Sequence, residues 1–223
     1  KKLVELGYKI AIAEQLEEAN GKTLINRDVI RVITSGTVID DAMLNADSNN
    51  FVAAIYEGDS AGTVYASWAD IMTGEFYVAQ FDSYDNAVSR IRPKEVITMK
   101  HFAYAFTTKQ ATQTVKKYFN VNTTQVFDIA ENSPLVNAAG ALLEYLLMTA
   151  KNKLSNITKI TLVRDDNHMV LDKIARDTLE IVLSYRNNTK AGSLLSVLDK
   201  TKTPMGARML AEWVTAPLKQ VAL

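Results

Sequence analysis

The stretch LLSVLDKTKTPMGARMLAEWVTAPL, residues 194–218, decides how the rest of the chain is read. Thr203 and Pro204 open a helix there. A threonine hydroxyl accepts a hydrogen bond from an otherwise orphaned first-turn N–H, and proline presets the first helical φ. Met205, Met209, Leu210 and Trp213 then recur at helical spacing, and Ala216-Pro217 ends the run. Physical chemistry alone therefore predicts an amphipathic helix whose apolar stripe enters a core.

The order of residues says more. LxSVLDxTxTPMGxRxLxxWxxxPL resembles the start of the core (lever) domain of the MutS family of DNA mismatch-repair proteins. Two other stretches carry the same likeness. GYKIAIAEQLEE at 7–18, followed by RDVIRVITSGTVID at 27–40, is similar to the end of the family's mismatch-recognition domain. MVLDKIARDTLEI at 169–181 is similar to the segment that enters the lever. Order and spacing are those of the family, over essentially the whole chain. Ala13 stands where a cysteine is common and Ser35 where a proline is usual, and neither change removes a reactive group.

The resemblance implies three pieces: 1–40, the C-terminal part of the mismatch-recognition domain; 41–155, a ribonuclease H-like connector domain; and 156–223, the start of the helical core domain. In the family a Phe-x-Glu wedge lies upstream of the GYK strand, and a phosphate-binding loop lies far downstream of the lever. On that likeness the chain reads as a middle piece of a longer protein, not an enzyme by itself. ATP and magnesium would serve the parent, with no cofactor or metal held here. The implied partners are mismatched double-stranded DNA, MutL and a second copy of the parent. The implied mechanism is mechanical: the dimer kinks mismatched DNA, and ATP binding elsewhere converts it to a sliding clamp. Connector and lever would transmit that change by turning about linkers at 151–156 and 186–190.

Composition fits a scaffold better than a catalyst. Of 223 residues 48% are hydrophobic, enough for one good core with flanking pieces. Lys+Arg and Asp+Glu both number 25, so the net charge is zero, which argues against a dedicated nucleic-acid module. With no cysteine and only His101 and His168, disulfides and thiolate metal sites are excluded and zinc has few ligands. No apolar run approaches the ~20 residues of a membrane span, and no secretory signal precedes the first strand. A cytoplasmic, bacterial protein with no membrane contact is expected.

Along the chain, 2–6 reads as a helix end, 8–13 as a strand, 14–19 as a short acidic helix closed by Asn20-Gly21, and 28–34 as a β-branched strand. Residues 51–57, 63–71 and 74–81 read as three strands with short turns, hence an antiparallel meander. Ser83 can cap a helix with Ala87, Val88 and Ile91 inward, ended at Arg92-Pro93. Residues 95–99 read as a buried strand, 109–119 as a helix and 124–129 as another strand. A helix from Ser133-Pro134 to Ala150 is apolar on nearly every side and should be buried on most faces. The result is an α/β fold: a mixed sheet of three antiparallel strands followed by β-α units, with helices on both faces, flanked by an α+β remnant and the start of a helical domain. Residues 159–163 add a brief strand, and Asp172 caps a helix with Ile174, Ala175, Thr178, Leu179 and Val182 inward.

A ribonuclease H-like sheet raises a rival reading, a metal-dependent nuclease. That chemistry needs three or four carboxylates converging on magnesium, to neutralise both attacking and leaving oxygens. Glu57, Asp70, Asp128 and Glu144 are the available acids, and their positions do not converge. Asp70, in ADIMTGE, is better explained by its turn, where a carboxylate accepts backbone N–H groups. Gly21-Lys22-Thr23 mimics the end of a phosphate-binding loop, but position 16 is Leu and a strand follows, so ATP binding there is rejected.

Two surfaces remain as functional candidates. Arg27 and Arg31 are placed by the resemblance close to the duplex, where a guanidinium suits bidentate phosphate contact. Pairing with Asp28, Glu17 or Glu18 is the alternative. Gln110, Gln113, Thr114 and Lys117 form the face of the 109–119 helix opposite Ala111, Val115 and Tyr118. A polar face of that kind suits a weak, switchable contact such as one with MutL, or plain solvation. HFAYAF at 101–106 is either core or an aromatic patch.

Overall fold

The computed structural model describes residues 2–15, 27–38, 46–58, 62–150, 154–164 and 167–220. The predicted acidic helix at 14–19 meets only two described residues, Glu14 and Gln15, and both are strand. The rest of it, the Asn20-Gly21 turn and the Gly21-Lys22-Thr23 tripeptide lie outside the described residues. After helix α1 (Lys2–Glu5), strands β1 (Ile10–Gln15) and β2 (Arg27–Ile33) form an antiparallel ribbon, with an irregularity in register at Ile12/Ala13. Strand β1 thus begins two residues later than its apolar run.

The centre is a mixed sheet of five strands. β3 (Val52–Glu57), β4 (Val64–Asp70) and β5 (Glu75–Phe81) are the antiparallel meander, with Ile55 facing Ala66 and Trp68 facing Tyr77. β6 (Glu95–Thr98) runs parallel to β3, and β7 (Thr161–Leu162) parallel to β5, so the order is β6-β3-β4-β5-β7. Residues 52–55 are buried in succession rather than alternately, because both faces of the sheet are covered. On one face α5 (Pro134–Ala150) crosses β3, β4 and β5, with α4 (Thr108–Phe119) packed behind it. This is the larger core, including Val52, Phe76, Val78, Leu142 and Leu146. α5 is buried nearly all round, as its all-apolar sequence requires. The hydroxyl of buried Ser67 donates to Ala138 O at 2.7 Å and ties the middle of β4 to this helix. On the other face α2 (Tyr84–Ile91) covers Ile55, Trp68 and Phe81 with Ala87 and Ile91. Ser83 caps it by accepting from Asn86 N–H.

The segment 124–129 is not a strand. Residues Thr124–Phe127 form a 3-10 turn. The side chain of Thr123 accepts from Gln125 N–H, Asp128 adopts a left-handed φ of 60°, and Thr124 Oγ1 donates to Ile129 O at 2.8 Å. Local side-chain bonds win over a ladder here, so the fifth strand of the sheet is β7. HFAYAF divides: α3 (Met99–Phe102) leads into a 3-10 turn in which Phe106 is core and Tyr104 is exposed. The expected linker at 151–156 is partly fastened. Leu154 and Ile157 are buried, and the Tyr118 hydroxyl lies 2.5 Å from Leu154 O.

The C-terminal helices are α6 (Lys173–Thr178), α7 (Leu194–Leu198) and α8 (Pro204–Thr215). Their capping follows the sequence: Asp172, Ser193 and Thr203 each accept from the N–H three residues on. Their apolar stripes do not. Ile174 is 74% exposed and Leu179 lies open, and in α8 Met205 is 71% and Trp213 64% exposed, with Met209 also outward. Within α8 the buried residues are Ala207 and Thr215, and in α6 Arg176. Small side chains face inward because α8 lies over the sheet, above a cleft of about 450 Å³ floored by Trp68 and Tyr77. A bridge between His168 and Leu218 closes this part on itself.

Candidate nucleic-acid and partner surfaces

The β1–β2 ribbon offers its arginines in different ways. Arg27, at the open end opposite Gln15, is exposed, and Arg31, opposite Ile12, is half-buried. Asp28 does not neutralise Arg27, since its Oδ1 accepts from Val29 N–H at 2.7 Å. Among the described residues no acidic side chain pairs with either arginine, while Glu17 and Glu18 lie outside them. Arg27 is thus free to reach a phosphate oxygen, and Arg31 is tied closer to the ribbon.

The other end of the ribbon is fastened. The turn after β2, Thr34-Ser35-Gly36-Thr37, docks at the start of β3 and β6. Ser35 Oγ donates to Lys94 O at 3.1 Å, and Asn50 Nδ2 donates to Gly36 O at 3.0 Å. A Cβ at Gly36 would stand 2.3 Å from Val52 Cγ2, so this close approach requires glycine. Beside the turn, Glu95 accepts from three donors. Tyr145 OH lies 2.6 Å from Oε1, Lys9 Nζ 3.0 Å from Oε1, and Thr34 Oγ1 bonds Oε2. Burial works against the charge on Lys9, but its hydrogen bonds to Tyr145 and Glu95 outweigh that and raise its pKa. Burial first, then the bond to Glu95, raises that of Tyr145. Reading the sequence did not single out Glu95, Tyr145, Lys9 or Thr34. The one available signal was a tyrosine within the otherwise apolar run of α5.

On α4 the predicted polar face splits. Gln113 and Lys117 are exposed, one turn apart. Gln110 is half-buried, and Thr114 is buried at 7% exposure. Thr114 sits beside Val115 on the side facing α5, where its hydroxyl donates to Glu144 Oε2 at 2.9 Å and accepts from Gln110 Nε2 at 3.4 Å. It is a helix–helix contact and not part of an outer face. The accessible surface is a shallow groove lined by Lys109, Thr112, Gln113, Lys116 and Lys117. Glu131 sits across from Lys116 at 2.6 Å, and that lysine holds its carboxyl below the ordinary range.

The acids of the nuclease reading are engaged elsewhere. Asp70 is buried, and its carboxylate accepts from Asn50 N–H at 2.8 Å, Met72 N–H at 2.9 Å and Thr73 N–H at 3.4 Å, the turn role expected of it. Glu144 is bonded to Thr114 on the far side of α5. Among the described residues no three His, Cys, Asp or Glu side chains gather where they could hold a metal ion.

Comparison with known proteins gives this geometry a family. The family models for MutS domain I, MutS domain II and MutS domain III match residues 1–42, 50–158 and 174–223. Over 97% of its length the chain is 40% identical to the DNA mismatch repair protein MutS of Desulforamulus reducens and 37% identical to that of Halothermothrix orenii. The chain belongs to the MutS family. It is also 33% identical, over its whole length, to MutS of Flavobacterium psychrophilum. The chain spans 27–28% of the length of these three MutS relatives. The Glu95 cluster joins residues matched by the models for MutS domains I and II: Lys9 and Thr34 in one, Glu95 and Tyr145 in the other. No helix among the described residues is long and apolar enough to cross a membrane.

Proposed function

We propose that this chain is the connecting middle of a bacterial, cytoplasmic DNA mismatch-repair protein, passing position and force between a DNA-binding part and an ATP-dependent core. The observation that carries the reading is the central sheet's place between two fastened flanks. The β1–β2 ribbon is anchored at the start of β3 and β6. On the opposite face, α6 is anchored to α2 by Asn86 Oδ1, which accepts from Lys173 N–H at 2.9 Å. A sheet held on both sides rotates with its flanks as a body instead of absorbing their motion. The antiparallel meander with β6 parallel to its first strand supports a ribonuclease H-like connector, one whose acids serve turns and helix contacts.

In this reading Arg27, with a smaller share from Arg31, touches the phosphate backbone of mismatched duplex DNA without reading bases. ATP and magnesium act in parts of the parent protein outside this chain, and the parent works as a homodimer that becomes a clamp. Gln113 and Lys117, with Gln110 at the edge, form a weak docking surface for MutL. Thr114 supports that helix from beneath. The test is a pair of titrations. Fluorescence anisotropy with matched and mismatched duplexes should give weak, salt-sensitive binding of similar strength to both, and MutL capture should fall on Gln113→Ala/Lys117→Ala. More than tenfold preference of the isolated chain for the mismatch, or MutL capture unchanged by the double substitution, would overturn the corresponding half.

A further inference from the structure

The Glu95 cluster does more than fill space. We propose that Glu95 is an orientation lock: its carboxylate admits one pose of the β1–β2 ribbon on the central sheet. The donors come from three separate places: Lys9 just before β1, Thr34 just after β2, and Tyr145 in the third turn of α5. A carboxylate only accepts, and its lone pairs point in fixed directions. Three donors on three elements meet those directions together in a single arrangement. The site is also dry enough to matter. The Glu95 side chain is 10% exposed, so any slip of the ribbon strands a carboxylate away from water.

The rest of the ribbon supplies little competing anchorage. Most of β1 is exposed and only alternate residues of β2 turn inward, and a two-stranded ribbon by itself is marginal. The donors are not equal. The Lys9 side chain is 60% exposed, so solvent screens its ion pair and it contributes least. Tyr145 and Thr34 set the pose. Thr34 is held in turn by Thr37, with the two hydroxyls 2.9 Å apart, and both threonines are buried.

The chain contains no cysteine, so a spin-label pair can be introduced cleanly at exposed positions, Gln15→Cys on the ribbon and Gln80→Cys on the sheet. Double electron–electron resonance without DNA reads the ribbon pose directly, so its outcome is independent of any role in nucleic-acid binding. The wild-type background should give one narrow distance distribution. Glu95→Gln and Tyr145→Phe should each widen it at least twofold with helix content unchanged, and Lys9→Met should widen it less. Tyr145→Phe keeps the ring in the core, so it stays informative should Glu95→Gln fail to fold. A broad distribution in the wild type, or one equally narrow in Tyr145→Phe, would overturn the lock.

Discussion

Replacing Gly140 by alanine pits helix propensity against packing, and the structure decides which wins. Gly140 lies in the middle of α5, where glycine costs ~1 kcal/mol relative to alanine. On propensity alone, Gly140→Ala would stabilise the protein. A Cβ at this position, however, would stand 2.3 Å from Ala111 Cα, 2.5 Å from its Cβ and 2.6 Å from its carbonyl oxygen. Two of those atoms are backbone, so no rotamer change relieves the contact. Ordinary carbon contacts need ~3.5–4.0 Å, so α4 must retreat by about 1 Å or more. That retreat loosens the packing of Ala111 and Val115, both fully buried. Overpacking of this kind costs ~1–3 kcal/mol, and a backbone clash belongs at the upper end. Setting ~3 against the ~1 gained leaves the variant about 2 kcal/mol less stable, or ~4–8 °C in Tm for a chain of this size. Thermal melting followed by Trp68 fluorescence, in a Trp213→Phe background, isolates the central sheet. A Tm equal to or above that of the parent would refute the reasoning.

Asp70→Asn keeps one acceptor oxygen but loses the charge that three backbone N–H groups share. It should destabilise by ~1–3 kcal/mol in chemical denaturation, and magnesium-dependent nicking of branched DNA that vanishes with this substitution would revive the nuclease reading. Arg27→Ala should weaken duplex binding alike for all sequences and reduce the salt slope by ~1, so a sequence-dependent loss would contradict a phosphate contact. The Tyr77 phenol is pushed up to about 12 by burial and then by the charges of Glu75 and Glu212. Below about pH 10 both folded and unfolded chains keep this proton. From there to about pH 12 the unfolded chain releases it first, so stability falls as pH rises, and Tyr77→Phe should flatten that fall in melts across the window.

The meander, α2 and α5 were legible because each rests on a local rule that packing reinforces. The turns punctuate the strands, Ser83 caps α2, and a helix apolar on every side has nowhere to go but inside. Residues 124–129 misled because TQVFDI alternates weakly, whereas Thr123 and Thr124 have hydroxyls within reach of nearby backbone groups, and that competition is invisible to periodicity. Thr114 misled because a helical wheel assigns it to the polar side, yet Glu144 across the helix contact gives its hydroxyl a partner. The stripes of α6 and α8 were real as patterns, but periodicity shows only that a face is apolar, not what covers it. The Glu95 cluster could not be read at all: Lys9, Thr34, Glu95 and Tyr145 are brought together by the docking of the ribbon, which no local pattern encodes.

The placement of α5 has a consequence for biogenesis. It is the lid over the larger core, yet it follows the last meander strand by roughly 70 residues of synthesis, which takes several seconds at ~5–20 residues per second. During that interval Val52, Ala54, Phe76 and Val78 stand on an uncapped sheet. The nascent chain therefore has a window in which a holdase, or another ribosome's unfinished product, competes with its own helix for the same surface. Slow codons within 82–133 would lengthen that window and raise the aggregated yield, with the finished fold unchanged.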